Sequence, residues 1–270
     1  MKQIIKDIII DFAKQELVFS NEQDFQIEMA LALKTGKYGV KDVKLEIISL
    51  NETWEDVKKK VQNKEKIDRQ IKQYHDILVK FSDDEYVLIE LKYKTPSKLC
   101  FYKTKRGEMI TFAQGVYDIG AYDFLKDISR LETISERHMP GEIQKKIKKS
   151  YAVLLTNDKN YRYNRFDRKK KNGTQSPWIN YSIHDNKEFE KGRLYFLINK
   201  KNESAYKTPN GRHFDSIDLN NDYKFEWCNY ELAGYNNYED KKVKRKSCTC
   251  PGFSYLIVEV KPLSNKIISK

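Results

Sequence analysis

The sequence predicts an α/β domain, and three observations lead there. Compact apolar runs of strand length recur, the clearest being HDILVKF at 75–81, EYVLIELKY at 85–93 and SYAVLLT at 150–156. Stretches with apolar residues every three or four positions alternate with them, at 3–18, 22–34 and 110–137. No internal repeat or linker-like composition interrupts the 270 residues, so a single domain spanning 1–270 is expected, with C-terminal strands packed onto it.

Taken in order, 3–18 reads as an amphipathic helix with Ile4, Ile5, Ile8, Phe12 and Leu17 on one side. Ser20 or Asn21 caps a second helix over 22–34, whose apolar face is Phe25, Met29, Ala32 and Leu33. Glu22 and Asp24 fall in its first turn, where acidic residues ordinarily complement the helix dipole. A strand follows at 43–50 and a highly charged helix at 51–66; after the 74–95 hairpin, 96–107 reads as a polar, basic loop. The longest helical pattern is 110–137, with a stripe of Tyr117, Ala121, Phe124, Ile128 and Leu131, weakened at Gly115 and Gly120. Gln114 and Asp118 share one face of it, while Asp123, Asp127 and Arg130 read as a surface salt-bridge row. A central strand is expected at 150–156, a basic aromatic loop at 161–178 and a strand at 193–198. A strand pair at 213–219 and 223–232 should turn at Asn220, Asn221 and Asp222, and 253–260 is the last strand.

The 74–95 hairpin carries charges where an apolar strand should have none: Asp76, Glu90 and Lys92. A three-residue loop at Ser82, Asp83 and Asp84 pairs Phe81 with Glu85 and sets Asp76 opposite Glu90, with Cβ atoms roughly 5 Å apart. Lys92, two residues further, shares that face. A two-residue loop would instead turn Glu90 to the other face. Two close carboxylates repel, and a hard divalent cation resolves the repulsion; Mg²⁺ suits the site, with Mn²⁺ as a substitute. Lys92 would orient the attacking water or offset charge on a phosphate. The competing reading is a surface hairpin with a cross-strand salt bridge.

Composition narrows the partners. The net charge is +12, from 51 basic against 39 acidic residues. That points to a polyanion, nucleic acid first and an anionic membrane surface second, although a Lys-rich composition competes as an explanation. Arg165, Arg168, Lys169, Lys170 and Lys171, interleaved with aromatics in the 161–178 loop, suit phosphate contact and base stacking. Cys100, Cys228, Cys248 and Cys250 do not make a disulfide framework, and Cys248-x-Cys250 is too closely spaced for a zinc knuckle. Lys6, Asp7 and Asp11 break the apolar N-terminus, so no signal peptide is read there. No run reaches membrane-spanning length, and a cytoplasmic location is expected.

The ordered segments NEQDFQ, KLEI, HDILV, IELKYKT, YDIGAYDFLKDISRLE and AVLLTND resemble the PD-(D/E)XK, or restriction-endonuclease-like, nuclease superfamily, in particular an uncharacterised bacterial family within it. The resemblance covers 20–160, which would be the nuclease core, and leaves 161–270 as a basic loop and strand extension. It implies a central mixed β-sheet with helices on both faces. It also implies Mg²⁺-dependent hydrolysis of DNA, in host defence or restriction by analogy. The metal ligands would be Asp76, Glu90 and the Leu91 backbone carbonyl, and Lys92 would be the catalytic lysine. Glu22 would be the helix acid, with Glu28 as the alternative, and Gln114 the polar residue on the helix after the lysine strand. His75 stands where the superfamily motif has proline. DNA is favoured over RNA, and a homodimer is compatible with the reading. The rivals are an RNA nuclease or toxin and a non-catalytic nucleic-acid-binding protein on the same fold.

Overall fold

A computed structural model describes residues 1–65, 71–96, 100–111, 117–163, 175–232 and 252–263. The fold is α/β, built on a six-stranded mixed sheet. Its helices are α1 (Lys2–Lys14), α2 (Glu22–Thr35), α3 (Trp54–Gln62) and α4 (Tyr117–Glu132). The first strands are β1 (Asp42–Leu50), β2 (Lys72–Ser82), β3 (Glu85–Lys94), β4 (Cys100–Thr104), β5 (Gly107–Thr111) and β6 (Ile147–Thr156). Short strands follow: β7 (Glu188–Phe189), β8 (Gly192–Leu194), β9 (Phe196–Ile198), β10 (Lys201–Glu203), β11 (Ala205–Lys207), β12 (His213–Asp215), β13 (Ile217–Leu219) and β14 (Tyr223–Lys224). β15 (Trp227–Tyr230) and β16 (Phe253–Val260) end the series.

The sheet order is β1-β2-β3-β6-β16-β15. Only β3 and β6 run parallel; the other neighbours are antiparallel. A parallel pair needs a crossover, and α4 lies within it. Strand alternation sends successive apolar residues to opposite faces. Ile77, Val79, Ile89 and Leu91 pack under α1 and α2, with Ile8, Phe12, Phe25 and Met29. Leu78, Leu88, Ala152 and Leu154 pack under α4, with Ala121, Phe124, Ile128 and Leu131. The aromatic second half covers the same side, where Trp178, Tyr181 and Phe196 surround Tyr122.

Of the two expected caps for α2, Asn21 serves, its side chain accepting the Asp24 N–H. Several other expectations change. The 96–107 stretch is not all loop: β4 and β5 form a hairpin, and β5 occupies the start of the expected 110–137 helix. Gly120 does not kink α4 but admits Tyr161, because a Cβ there would lie 1.9 Å from the Tyr161 hydroxyl oxygen. The 213–232 segments do not pair with each other. β12 joins β11, β13 joins β8, β14 joins β7 and β15 joins β16. β16 is no appendage, since it pairs with β6 inside the main sheet, so the core extends well beyond 20–160.

Candidate active site

The hairpin keeps its expected register by an unexpected route. Ser82 pairs with Glu85, so only Asp83 and Asp84 form the turn, and a β-bulge at Phe81 inserts the residue that a longer loop would have supplied. Leu78 then faces Leu88 and Ile77 faces Ile89. Asp76, Glu90 and Lys92 therefore continue along the side that carries α4.

Beyond the Ile77–Ile89 pair, side chains take over from the ladder. The backbone N–H of Leu91 donates to Asp76 Oδ2 at 2.6 Å, and that of Tyr93 donates to Glu22 Oε2 at 3.0 Å. On its other edge β3 stays paired to β6 through Lys94. Two carboxylates thus satisfy backbone donors that β2 leaves uncovered, and the sheet opens at the charged residues. Opposite, Glu46 of β1 has φ +51°, the left-handed region that a non-glycine strand residue seldom adopts. Gln26 holds this point, its Nε2 donating both to Glu46 Oε1 (2.9 Å) and to the Asp76 carbonyl (2.8 Å). The break in alternation lets consecutive residues, His75 and Asp76, both approach Glu90.

Glu90 is 3 % exposed and His75 fully buried, with 2.6 Å between His75 Nδ1 and Glu90 Oε1. Burial pushes the Asp76 carboxyl up to about 8, helped by the neighbouring Glu90 charge. Burial likewise raises Glu90, and the Asp127 charge adds to it. Burial, followed by the Arg130 and Arg137 charges, lowers His75 to about 3, so its ring is neutral at physiological pH. Burial works against the Lys92 ammonium, yet Asp127 and Glu22 outweigh it and hold its pKa above the ordinary range. Lys92 Nζ lies 2.9 Å from Asp127 Oδ2 and 3.6 Å from Glu22 Oε1. Arg130 completes the group, donating from one nitrogen to Asp127 Oδ1 (2.7 Å) and from the other to the Tyr74 carbonyl (3.0 Å).

Asp76, Glu90, Lys92 and Glu22 are thus gathered at one place. Glu22 is turned to Lys92 and the β3 backbone, and Glu28 lines a separate cavity with Glu16 and Arg106. Gln114, Arg165, Arg168, Lys169, Lys170 and Lys171 lie outside the described residues, as do Cys248 and Cys250. Among the described residues, Cys100 is buried and Cys228 half-buried, and the two form no disulfide. The expected surface row on α4 is corrected: Asp127 is buried and is the direct partner of Lys92. Its position was readable, since it stands three residues after Phe124 and four before Leu131, on the border of the core stripe. No short-range sequence pattern links His75, Ser49 and Arg137, which meet only in the folded chain.

Among the described residues, no group of three or more His, Cys, Asp or Glu side chains could hold a metal ion. The donor set is the Asp76–Glu90 pair, which suits a hard cation using two carboxylates with water and phosphate oxygens, not zinc. Burial raises both carboxyls, and the nearby Lys92 charge, joined by Arg130 at Glu90, does not offset it. That chemistry fits Mg²⁺ or Mn²⁺.

No protein-family model matches the chain, and no curated protein or solved structure is significantly similar to it. No helix among the described residues is long and apolar enough to cross a membrane.

Proposed function

We propose that the protein is a metal-dependent nuclease that hydrolyses DNA phosphodiesters, on a fold of the restriction-endonuclease-like, PD-(D/E)XK type. The observation that carries this reading is the convergence of Asp76, Glu90 and Lys92 where β2 and β3 part, with both carboxyls raised and the lysine held as a cation. The parallel β3–β6 pair at the centre of a mixed sheet supports it.

Asp76 and Glu90 would hold Mg²⁺ or Mn²⁺, with the Leu91 carbonyl as a third oxygen on the same strand. The bound ion would supply an activated water and polarise the phosphate. The remaining work falls to the chain itself. Lys92, kept protonated by Asp127 and Glu22, offsets negative charge on the phosphorane-like transition state and is not a general base. Asp127 and Arg130 fix the direction of the Lys92 side chain. In the reaction a water oxygen bonds to phosphorus and one ester P–O bond breaks. The leaving oxygen takes a proton, and the water's proton passes to solvent. The +12 net charge supports a polyanionic substrate bound through its backbone, with little sequence reading.

Cleavage of supercoiled plasmid and of single-stranded RNA, with Mg²⁺, Mn²⁺ or EDTA, tests the proposal. DNA cleavage that needs metal is expected, and Lys92→Ala should lower its rate by about 10²–10³-fold, as loss of a charge-stabilising donor does. Equal rates in the two proteins would remove Lys92 from the mechanism. Cleavage confined to RNA would reassign the substrate.

A further inference from the structure

Behind Glu90 lies a line of polar groups that the proposed reaction does not use. Ser49 and His75 are fully buried. Arg137 Nε donates to Ser49 Oγ at 2.8 Å, Ser49 Oγ lies 2.8 Å from His75 Nε2, and His75 Nδ1 lies 2.6 Å from Glu90 Oε1. Buried polar groups in series are costly unless each is satisfied, so their alignment on one carboxylate oxygen calls for a reason.

The line starts from a fixed anchor. Other nitrogens of the Arg137 guanidinium donate to Asn51 Oδ1 and reach the Ser49 and Ile71 carbonyls at 3.4 Å. The next residue, His138, exchanges two backbone hydrogen bonds with Leu50, both 2.9 Å. The segment after α4 is thereby tied to the end of β1. The two ends together set the direction of the line. A guanidinium only donates, so Ser49 Oγ accepts from Arg137; a Glu90 carboxylate that ligates a cation is ionised and only accepts, so His75 Nε2 is left to accept the Ser49 hydrogen. A neutral imidazole with Nε2 accepting carries its hydrogen on Nδ1, the atom that faces Glu90.

We propose that His75 is a positioning residue for Glu90. Held from behind by Ser49 and Arg137, it donates Nδ1–H to Glu90 Oε1 and leaves Oε2 as the oxygen presented to a divalent cation. The assignment rests on the metal reading above. It gives the residue in the motif's proline position a function, since a proline there could neither donate to Glu90 nor accept from Ser49. Neighbours that orient a ligating carboxylate or imidazole in this way commonly govern metal affinity.

Two substitutions separate the ring nitrogens. The asparagine amide nitrogen is as many bonds from Cβ as Nδ1, and the glutamine amide nitrogen as many as Nε2. Mn²⁺ affinity by titration calorimetry, measured on the full chain, should therefore be nearly retained in His75→Asn. His75→Gln should weaken it by about 10–100-fold, the usual effect of losing such a neighbour. Melting temperatures without metal show whether each variant folds. Ser49→Ala, which keeps His75 but frees its far side, should give a smaller loss, below about tenfold. Equal affinities in His75→Asn and His75→Gln, or the reverse order, would overturn the role of His75 while leaving the metal site standing. If His75→Gln fails to fold, an unchanged affinity in Ser49→Ala would overturn it. Failure of the wild-type protein to bind Mn²⁺ would be a different result and would overturn the metal reading itself.

Discussion

Glu132 and Glu90 are both buried carboxylates on the α4 side of the sheet, and they are treated in opposite ways. Glu132, the last residue of α4, is fully buried and saturated with donors. It accepts from the backbone N–H groups of Asn220 and Asn221 (both 2.8 Å), from Asn221 Nδ2 (2.7 Å) and from the Tyr223 hydroxyl (2.8 Å). Those contacts lock the β13–β14 turn onto the helix. Glu90 faces two other carboxylates, Asp76 and Asp127; its hydrogen-bond partners are His75 and Asp76 itself, and the Lys92 and Arg130 charges only partly offset its burial. A buried charge is therefore no sign of function by itself. What separates the two is whether the neighbours are donors that complete the carboxylate or further acids beside it, and on the proposed reading the second arrangement takes a cation.

The largest contrast should appear in stability. Glu132→Gln puts an amide against several donors and should cost about 3 kcal/mol, the value of hydrogen bonds to a charged group. Glu90→Gln removes one of two repelling acids, and without metal it should change stability by less than about 1 kcal/mol or raise it. Urea unfolding of both variants in EDTA checks this. Similar losses in the two would erase the distinction.

A smaller effect concerns pH. The Asp76 carboxyl sits at about 8 when folded, against an ordinary value of 3.8. Between those values the folded protein keeps a proton that the unfolded chain has released, so stability falls as pH rises from 4 to 8. Asp76 is partly exposed, and water screens part of the effect. A decline of about 2–3 kcal/mol is expected. Asp76→Asn should flatten it, as measured by melting temperature in EDTA across that range, and a variant slope equal to wild type would assign the decline elsewhere.

The contrast also explains what could be read from the sequence. Apolar alternation over 75–93 carried the hairpin register through a wrong loop length, because burying the wrong face would cost far more than a bulge at Phe81. The elements near the site, α2, β2, β3 and β6, follow from local periodicity and capping. Glu22, Asp76, Glu90 and Lys92 were legible because each lies within such an element. Asn220 and Asn221 looked like a hairpin turn, and their service to Glu132 depends on a residue 88 positions away. Ser49, His75 and Arg137 were hidden for the same reason: Ser49 and Arg137 are 88 residues apart and meet only when the segment after α4 returns to β1. The register carried by β16 was equally long-range, since it joins β6 across the whole second half of the chain.

The central claim is that the Asp76–Glu90 pair wants a divalent cation and Glu132 does not. Thermal unfolding at pH 8, with and without Mg²⁺, addresses it directly in wild type, Asp76→Asn and Glu90→Gln. A ligand present at 100 times its Kd stabilises by about 2.7 kcal/mol. The wild-type protein should melt several degrees higher in saturating Mg²⁺, and neither variant should respond. A wild-type melting temperature indifferent to Mg²⁺, or an equal rise in all three proteins, would contradict the account.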